Sequence, residues 1–144
     1  MKTALVAALV ALAAGPVDLG TVDQKAPTKD DLKRPKSDDG VPKVELKADI
    51  KGTAKPDDKR SLYVLVGPVS SKELVGTWWV QGEATRDGAK FAAEAQFGEE
   101  AAGAGEYFAV VGVATDRKWS PGDKLTELPT DATYSKVKVV RRVP

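Results

Sequence analysis

The chain has 144 residues and contains neither histidine nor cysteine. Disulfides, thiol and imidazole catalysis, and the usual zinc or haem ligand sets are therefore excluded. The 22 Lys and Arg residues almost balance the 21 Asp and Glu residues, so a formal net charge of +1 gives no field that would attract nucleic acid. We therefore expect no metal, no cofactor and no nucleic-acid partner.

The N-terminus has the three-part pattern of a secretory signal peptide. Lys2 supplies a positive charge, residues 4–14 form an uninterrupted apolar run, and residues 11–13 fit an A-x-A cleavage site. Because a transmembrane helix needs about 20 apolar residues, this run is too short to span a bilayer. The sequence predicts a signal peptide over residues 1–14, with a retained anchor as the alternative. After its removal we expect a periplasmic or secreted protein with no stable membrane span.

Residues 15–43 differ in composition from the rest of the chain. Charged residues of both signs are frequent here, the larger apolar side chains are isolated, and four prolines interrupt the segment: Pro16, Pro27, Pro35 and Pro42. Such a stretch buries too little apolar surface to offset the entropy of ordering it. The sequence therefore predicts a disordered, mixed-charge linker over residues 15–43 and a folded domain over residues 44–144.

Residues 44–144 show the patterns of short β-strands separated by turns. The first run alternates apolar and charged residues, which is typical of a strand with one face in water. Two later runs are apolar on both faces, as in buried central strands. The patterns predict strands over residues 44–51, 61–66, 77–81, 91–97, 107–115 and 136–141. We expect an all-β fold, an antiparallel β-sandwich of about seven strands, with a small barrel as the alternative.

Several short motifs carry a family resemblance. They are LYVLVGP over residues 62–68, WWVQ over residues 78–81, YFAVVGVATD over residues 107–116, and LP followed by SKVKV over residues 128–139. In this order they resemble poorly characterised exported bacterial β-sandwich domains of the immunoglobulin-like and fibronectin types. The resemblance covers residues 61–142 and implies an immunoglobulin-like fold and an extracytoplasmic location, but no activity. Since cysteine is absent, the inter-sheet disulfide of antibody-type domains is excluded.

Adjacent tryptophans in the third predicted strand must point to opposite faces. Trp78 shares its face with Val80, so we place Trp78 in the core and Trp79 on the outer face. An exposed Trp79 would stack on a sugar ring or contact a protein partner, unless a loop of the chain covers it. Gln81 shares the face of Trp79 and would supply a polar group to such a site, or it is simply solvated.

Trp119 and the carboxylates are the remaining candidates. Trp119 lies in a loop and either anchors a partner surface or plugs the open end of the sandwich. Glu94, Glu106 and Asp116 lie beside predicted strands, but nothing in the sequence brings two of them together for acid and base catalysis. We therefore predict binding residues Trp79, Gln81 and Trp119 and no catalytic residue.

These observations favour an exported, non-catalytic module that binds or presents a protein or glycan of the bacterial cell envelope. Two alternatives remain at this stage. One is a structural or assembly component of an envelope or extracellular complex. The other is a small glycan-active enzyme that depends on carboxylates.

Overall fold

The computed structural model describes residues 16–69 and 76–144, so the predicted signal peptide lies outside the described residues. Within these ranges the fold is all-β, with two sheets and a single 3₁₀ turn at Lys29–Leu32. The strands in chain order are β1 Val17–Thr21, β2 Lys43–Val44, β3 Lys47–Thr53, β4 Ser61–Val69, β5 Trp78–Glu83, β6 Thr85–Asp87, β7 Lys90–Gln96, β8 Tyr107–Thr115, β9 Lys124–Leu125, β10 Thr133–Tyr134 and β11 Lys138–Arg142. No helix in the described ranges is long and apolar enough to cross a membrane.

The strands form a small and a large sheet. The small sheet has the order β1-β3-β7-β6, and the large sheet has the order β2-β11-β8-β4-β5-β9, with β10 also paired to β8. The β1–β3 and β2–β11 pairs are parallel, and the other pairs are antiparallel. All six predicted strands are confirmed, in β3, β4, β5, β7, β8 and β11, and their bounds differ from the predicted ones by at most three residues.

The inner core lies between the two sheets. The small sheet contributes alternate residues of β3 and β7, such as Ile50 and Phe91, and the large sheet contributes Val64 of β4 and Val110 of β8. Gly52 of β3 lies under the ring of Phe91, where an added Cβ would approach ring atom Cζ to 2.4 Å. The missing side chain is therefore what allows the two strands to pack here.

The outer face of the large sheet is buried as well, beneath an outer cluster of apolar side chains. Tyr63 of β4 and Val111 of β8 lie in this cluster, and it is covered by loops together with the short strands β9 and β10. The covering residues come from two segments, 22–42 and 116–137, and include Leu32, Trp119, Leu128 and Tyr134. Both faces of β4 and β8 are therefore buried, which explains why these strands carry apolar residues on both faces.

The segment predicted to be a disordered linker is part of the folded domain over its described residues. Val17, Leu19 and Val22 are buried in the inner core, and β1 pairs with β3. Farther along, Leu32 is buried in the outer cluster. The prediction for residues 15–43 is therefore corrected from residue 16 onward, because the isolated apolar residues find partners in strands that lie later in the chain.

A polar contact also fastens this segment to the large sheet. The Tyr107 hydroxyl and the Arg141 guanidinium both donate hydrogen bonds to the Asp38 carboxylate, and the Arg34 guanidinium lies 4.8 Å from the centre of the Tyr107 ring. The hydrogen bond from Tyr107 lowers the pKa of Asp38, and the same bond raises the pKa of Tyr107. The contact therefore depends on an ionised Asp38 and a protonated Tyr107.

Candidate functional site

Trp78 and Trp79 of β5 lie in opposite environments, as their adjacent positions in a strand require. Trp78 is 3% exposed and packs in the outer cluster, whereas Trp79 is 41% exposed. The predicted burial of Trp78 and exposure of Trp79 are confirmed, but Trp79 lies on the inner face of the large sheet and not on the predicted outer face. Trp79 is paired with Val66, whose side chain belongs to the inner core. Because paired residues of neighbouring strands point to the same face, the Trp79 side chain lies on the inner face of the large sheet, beyond the part that the small sheet covers. Trp78 is buried on the outer face, beneath the covering segments.

Trp79 borders a groove with a volume of about 470 Å³. The apolar lining includes Val66 and Phe108, which also belong to the inner core. The polar and aromatic lining side chains come from β5, from the end of β7 and from the segment that follows β7: Trp79, Gln81, Gln96, Glu99 and Glu106. The groove therefore combines an apolar interior with an exposed indole, two amides and two carboxylates.

Gln81 connects the two sheets beside the groove. Its Oε1 accepts a hydrogen bond from the backbone N–H of Gln96 at 2.7 Å, and its Nε2 donates to the Trp79 carbonyl oxygen at 3.2 Å. Those bonds use one N–H and one oxygen lone pair, and a primary amide offers two of each. Gln81 therefore holds the groove together and retains hydrogen-bonding capacity for a ligand.

Gln96 also lines the groove, and its Nε2 donates to the Gly98 carbonyl oxygen. No pattern in the sequence identifies Gln96 as a residue of the site.

Arg142 fixes the segment 97–105, which forms one wall of the groove. Arg142 is 7% exposed, and its Nη1 donates to the carbonyl oxygens of Phe97, Glu99 and Ala102 at 2.9, 2.7 and 3.0 Å. Gly103 adopts φ of +107°, and an added Cβ there would lie 3.1 Å from the same nitrogen. The wall is therefore built around a buried guanidinium that belongs to the last strand.

The charged groups at the groove have both signs. Glu99 and Glu106 are exposed and line the groove. The Lys124 ammonium lies 5.1 Å from the centre of the Trp79 ring, an arrangement in which the ring attracts the cation. Of the other two candidate carboxylates, Glu94 is paired with Asp49 in the small sheet, and Asp116 follows β8 outside the groove lining.

Trp119 lies away from the groove. Its ring is 5.1 Å from the ring of Tyr63, and its backbone N–H donates to the Tyr63 hydroxyl at 3.1 Å. It packs against the outer cluster and helps to cover the large sheet. Of the predicted binding residues, the structure therefore brings Trp79 and Gln81 together and separates Trp119 from them.

Within residues 16–69 and 76–144 no group of acidic side chains is arranged to hold a metal ion. Comparison with known proteins gives no relative: no family model, no curated protein and no solved structure matches the chain. The candidate site is therefore defined by its own geometry.

Proposed function

We propose that this chain is a non-catalytic module that binds a glycan in the groove beside Trp79. The observation that carries the proposal is the exposure of Trp79, the one large hydrophobic side chain among the described residues that is exposed. An aromatic face in water costs free energy unless a ligand covers it, and sugar rings present apolar C–H faces of matching size. The adjacent amide of Gln81 supplies donors and acceptors for sugar hydroxyls.

The rigidity of the site supports the same function. Trp79 lies within β5 and is paired on one side with Val66 and on the other with Lys124. The backbone N–H of Val80 donates to the Asp123 carbonyl oxygen at 2.8 Å, and the Gly122 N–H donates to the Val80 carbonyl oxygen at 2.8 Å. A ligand therefore meets a platform that is already ordered, which reduces the entropy lost on binding.

The cellular location belongs to the same proposal. A signal peptide over residues 1–14 would export the chain, and the resemblance to exported immunoglobulin-like domains agrees with that location. We propose that the module acts in the periplasm or outside the cell, with an envelope glycan as its partner. The two sheets are compatible with an immunoglobulin-like sandwich, although the parallel β1–β3 and β2–β11 pairs are additions to a purely antiparallel arrangement.

Affinity electrophoresis tests the proposal. The full chain is run in gels that contain soluble glucans, xylan or glycol chitin, and retarded migration is expected with at least one of them. Trp79→Ala should abolish the retardation, whereas Trp119→Phe, on the other face of the large sheet, should leave it unchanged. Migration that is unaffected by every polymer, or retardation that survives Trp79→Ala, would contradict the proposal.

A glycan-active enzyme is the second candidate, because two acidic residues, Glu99 and Glu106, line the groove. Glycoside hydrolysis uses two such groups, one of them a general acid that is kept protonated by its environment. Both carboxylates are exposed to solvent, which favours binding over catalysis. Release of reducing ends from the retarded polymer, lost in Glu99→Gln or Glu106→Gln, would establish hydrolysis instead.

A further inference from the structure

We propose that the groove selects glycans that carry free amino groups, with Glu99 and Glu106 as the residues that determine this specificity. The inference rests on the proposed glycan-binding function and names the ligand class. It starts from three groups that line one groove: the Trp79 ring, which is already in contact with a cation, and the acidic residues Glu99 and Glu106. A protonated amine on a sugar is complementary to all three.

The carboxylates are available to a ligand. Glu99 and Glu106 are exposed at the groove, and within the described residues neither forms a salt bridge. The cation behind this wall is Arg142, and its Nη1 is directed to three backbone carbonyl oxygens rather than to these carboxylates. Arg142 therefore holds the segment 97–105 without forming an ion pair with Glu99 or Glu106, and both carboxylates remain accessible to a cationic ligand.

Lys124 shows that the ring of Trp79 accepts an ammonium group. Its nitrogen lies 5.1 Å from the ring centre, within the range in which cation–π attraction acts. A ligand amine that enters the groove would approach both this lysine and the carboxylates. Lys124 should therefore oppose amine binding, while Glu99 and Glu106 should favour it. Variants of Lys124 and of the two glutamates measure these two effects separately.

The test compares two ligands that differ only in acetylation. Hexamers of β-1,4-linked glucosamine and of N-acetylglucosamine are titrated into the full chain at about pH 6, below the ordinary pKa of an amine. We expect the glucosamine hexamer to bind about fivefold more tightly, since each exposed ion pair contributes roughly a factor of two to three. The preference should shrink in about 0.5 M salt, which screens exposed charges.

The variants identify the residues responsible. Glu99→Gln combined with Glu106→Gln should bring the affinity ratio of the two hexamers to about one, because the glucosamine hexamer loses both ion pairs. Glu94→Gln, a matched change in the small sheet, should leave the ratio as it is. Lys124→Gln should raise the affinity for the glucosamine hexamer about twofold, because a repelling charge is removed.

The other outcomes overturn the inference in distinguishable ways. If the N-acetylglucosamine hexamer binds as well as the glucosamine hexamer and both need Trp79, the amine specificity fails and the glycan-binding function stands. If an oligolysine peptide binds as tightly as the glucosamine hexamer, and Trp79→Ala affects neither, the groove recognises charge alone and a cationic peptide replaces the glycan. If neither hexamer is bound and no neutral polymer is retarded, both proposals fail.

Discussion

Tyr134 is a fully buried residue whose ionisation should govern stability at high pH. Its side chain packs in the outer cluster, and its hydroxyl donates a hydrogen bond to the Pro129 carbonyl oxygen. Burial, assisted by the nearby charge of Asp131, raises the pKa of Tyr134 to about 12. An unfolded tyrosine has a pKa of about 10. The folded state therefore holds a proton that the unfolded state loses between these two values.

The contribution of Tyr134 is present in full below about pH 10 and is lost as the pH rises through about 12. Urea unfolding at about pH 9 and about pH 11 should show a loss of roughly 1.4 kcal/mol from this residue over the interval. Tyr107, whose pKa is also raised, adds to the loss in the same direction. Tyr134→Phe should reduce the slope of stability against pH, and an unchanged slope would contradict the assignment.

Gly52 is a residue whose missing side chain decides the packing of the inner core. A Cβ at this position would lie 2.4 Å from Phe91 Cζ and 2.8 Å from the Gly20 carbonyl oxygen, and the backbone oxygen cannot move aside easily. We expect Gly52→Ala to reduce the free energy of unfolding by about 2–3 kcal/mol through overpacking. The control is Gly76→Ala, where an added Cβ meets nothing within 4 Å. Equal urea midpoints for the two variants would contradict this account.

At the scale of elements, the segment 97–105 depends on Arg142 of β11. Replacing Arg142 by Met removes the Nη1 donor from three carbonyl oxygens. Those of Glu99 and Ala102 still accept from each other's backbone N–H, so the main loss is the bond to the Phe97 oxygen, and a hydrogen bond to a charged group contributes about 1.5–3 kcal/mol. We expect Arg142→Met to lower the free energy of unfolding by about 3 kcal/mol and to accelerate amide exchange in residues 97–105. Affinity for the glucosamine hexamer should fall as well, because Glu99 in this segment loses its fixed position.

Lys138→Met, an exposed change in the same strand, is the control for Arg142→Met. It should alter the free energy of unfolding by no more than about 0.5 kcal/mol and leave the exchange of residues 97–105 unchanged. If Arg142→Met shows the same exchange pattern as the unmodified chain, the guanidinium does not hold the wall.

The sequence predicts those strands in which apolar residues follow each other or alternate regularly. β4 and β8 are continuous apolar runs, and β7 alternates from Phe91 onward, so each identifies itself locally. β1 does not, because Val17 and Leu19 become buried only by pairing with β3, some thirty residues away. The wall of the groove is equally non-local, since Arg142 binds the carbonyl oxygen of Phe97 across the fold.

The two tryptophans show the limit of periodicity. Alternation along β5 places Trp78 and Trp79 on opposite faces, and it correctly predicts that one is buried and the other exposed. It does not say which face is which, because the large sheet is covered on both. The inner core is covered by the small sheet, the outer cluster by the segments 22–42 and 116–137, and Trp79 is exposed where the small sheet ends.

At the scale of the whole molecule, the described N-terminal segment completes both layers of apolar packing. It supplies β1 to the edge of the small sheet and then crosses to the outer face of the large sheet, where Leu32 is buried and Asp38 is bound by Tyr107 and Arg141. The backbone of Gln24 also exchanges two hydrogen bonds with Tyr134, at 2.7 and 2.8 Å. A single segment therefore joins the two sheets along much of the domain.

Removal of this segment should abolish cooperative folding or strongly lower the urea midpoint. A chain of residues 43–144 lacks four buried apolar side chains, Val17, Leu19, Val22 and Leu32. Each contributes about 1.5–3 kcal/mol, so the loss of roughly 6–12 kcal/mol is comparable to the total stability of a typical domain, about 5–15 kcal/mol. A chain of residues 16–144 should show a single cooperative urea transition, and residues 43–144 should show none or one at a much lower midpoint. Equal midpoints for the two chains would mean that the segment is a dispensable linker after all.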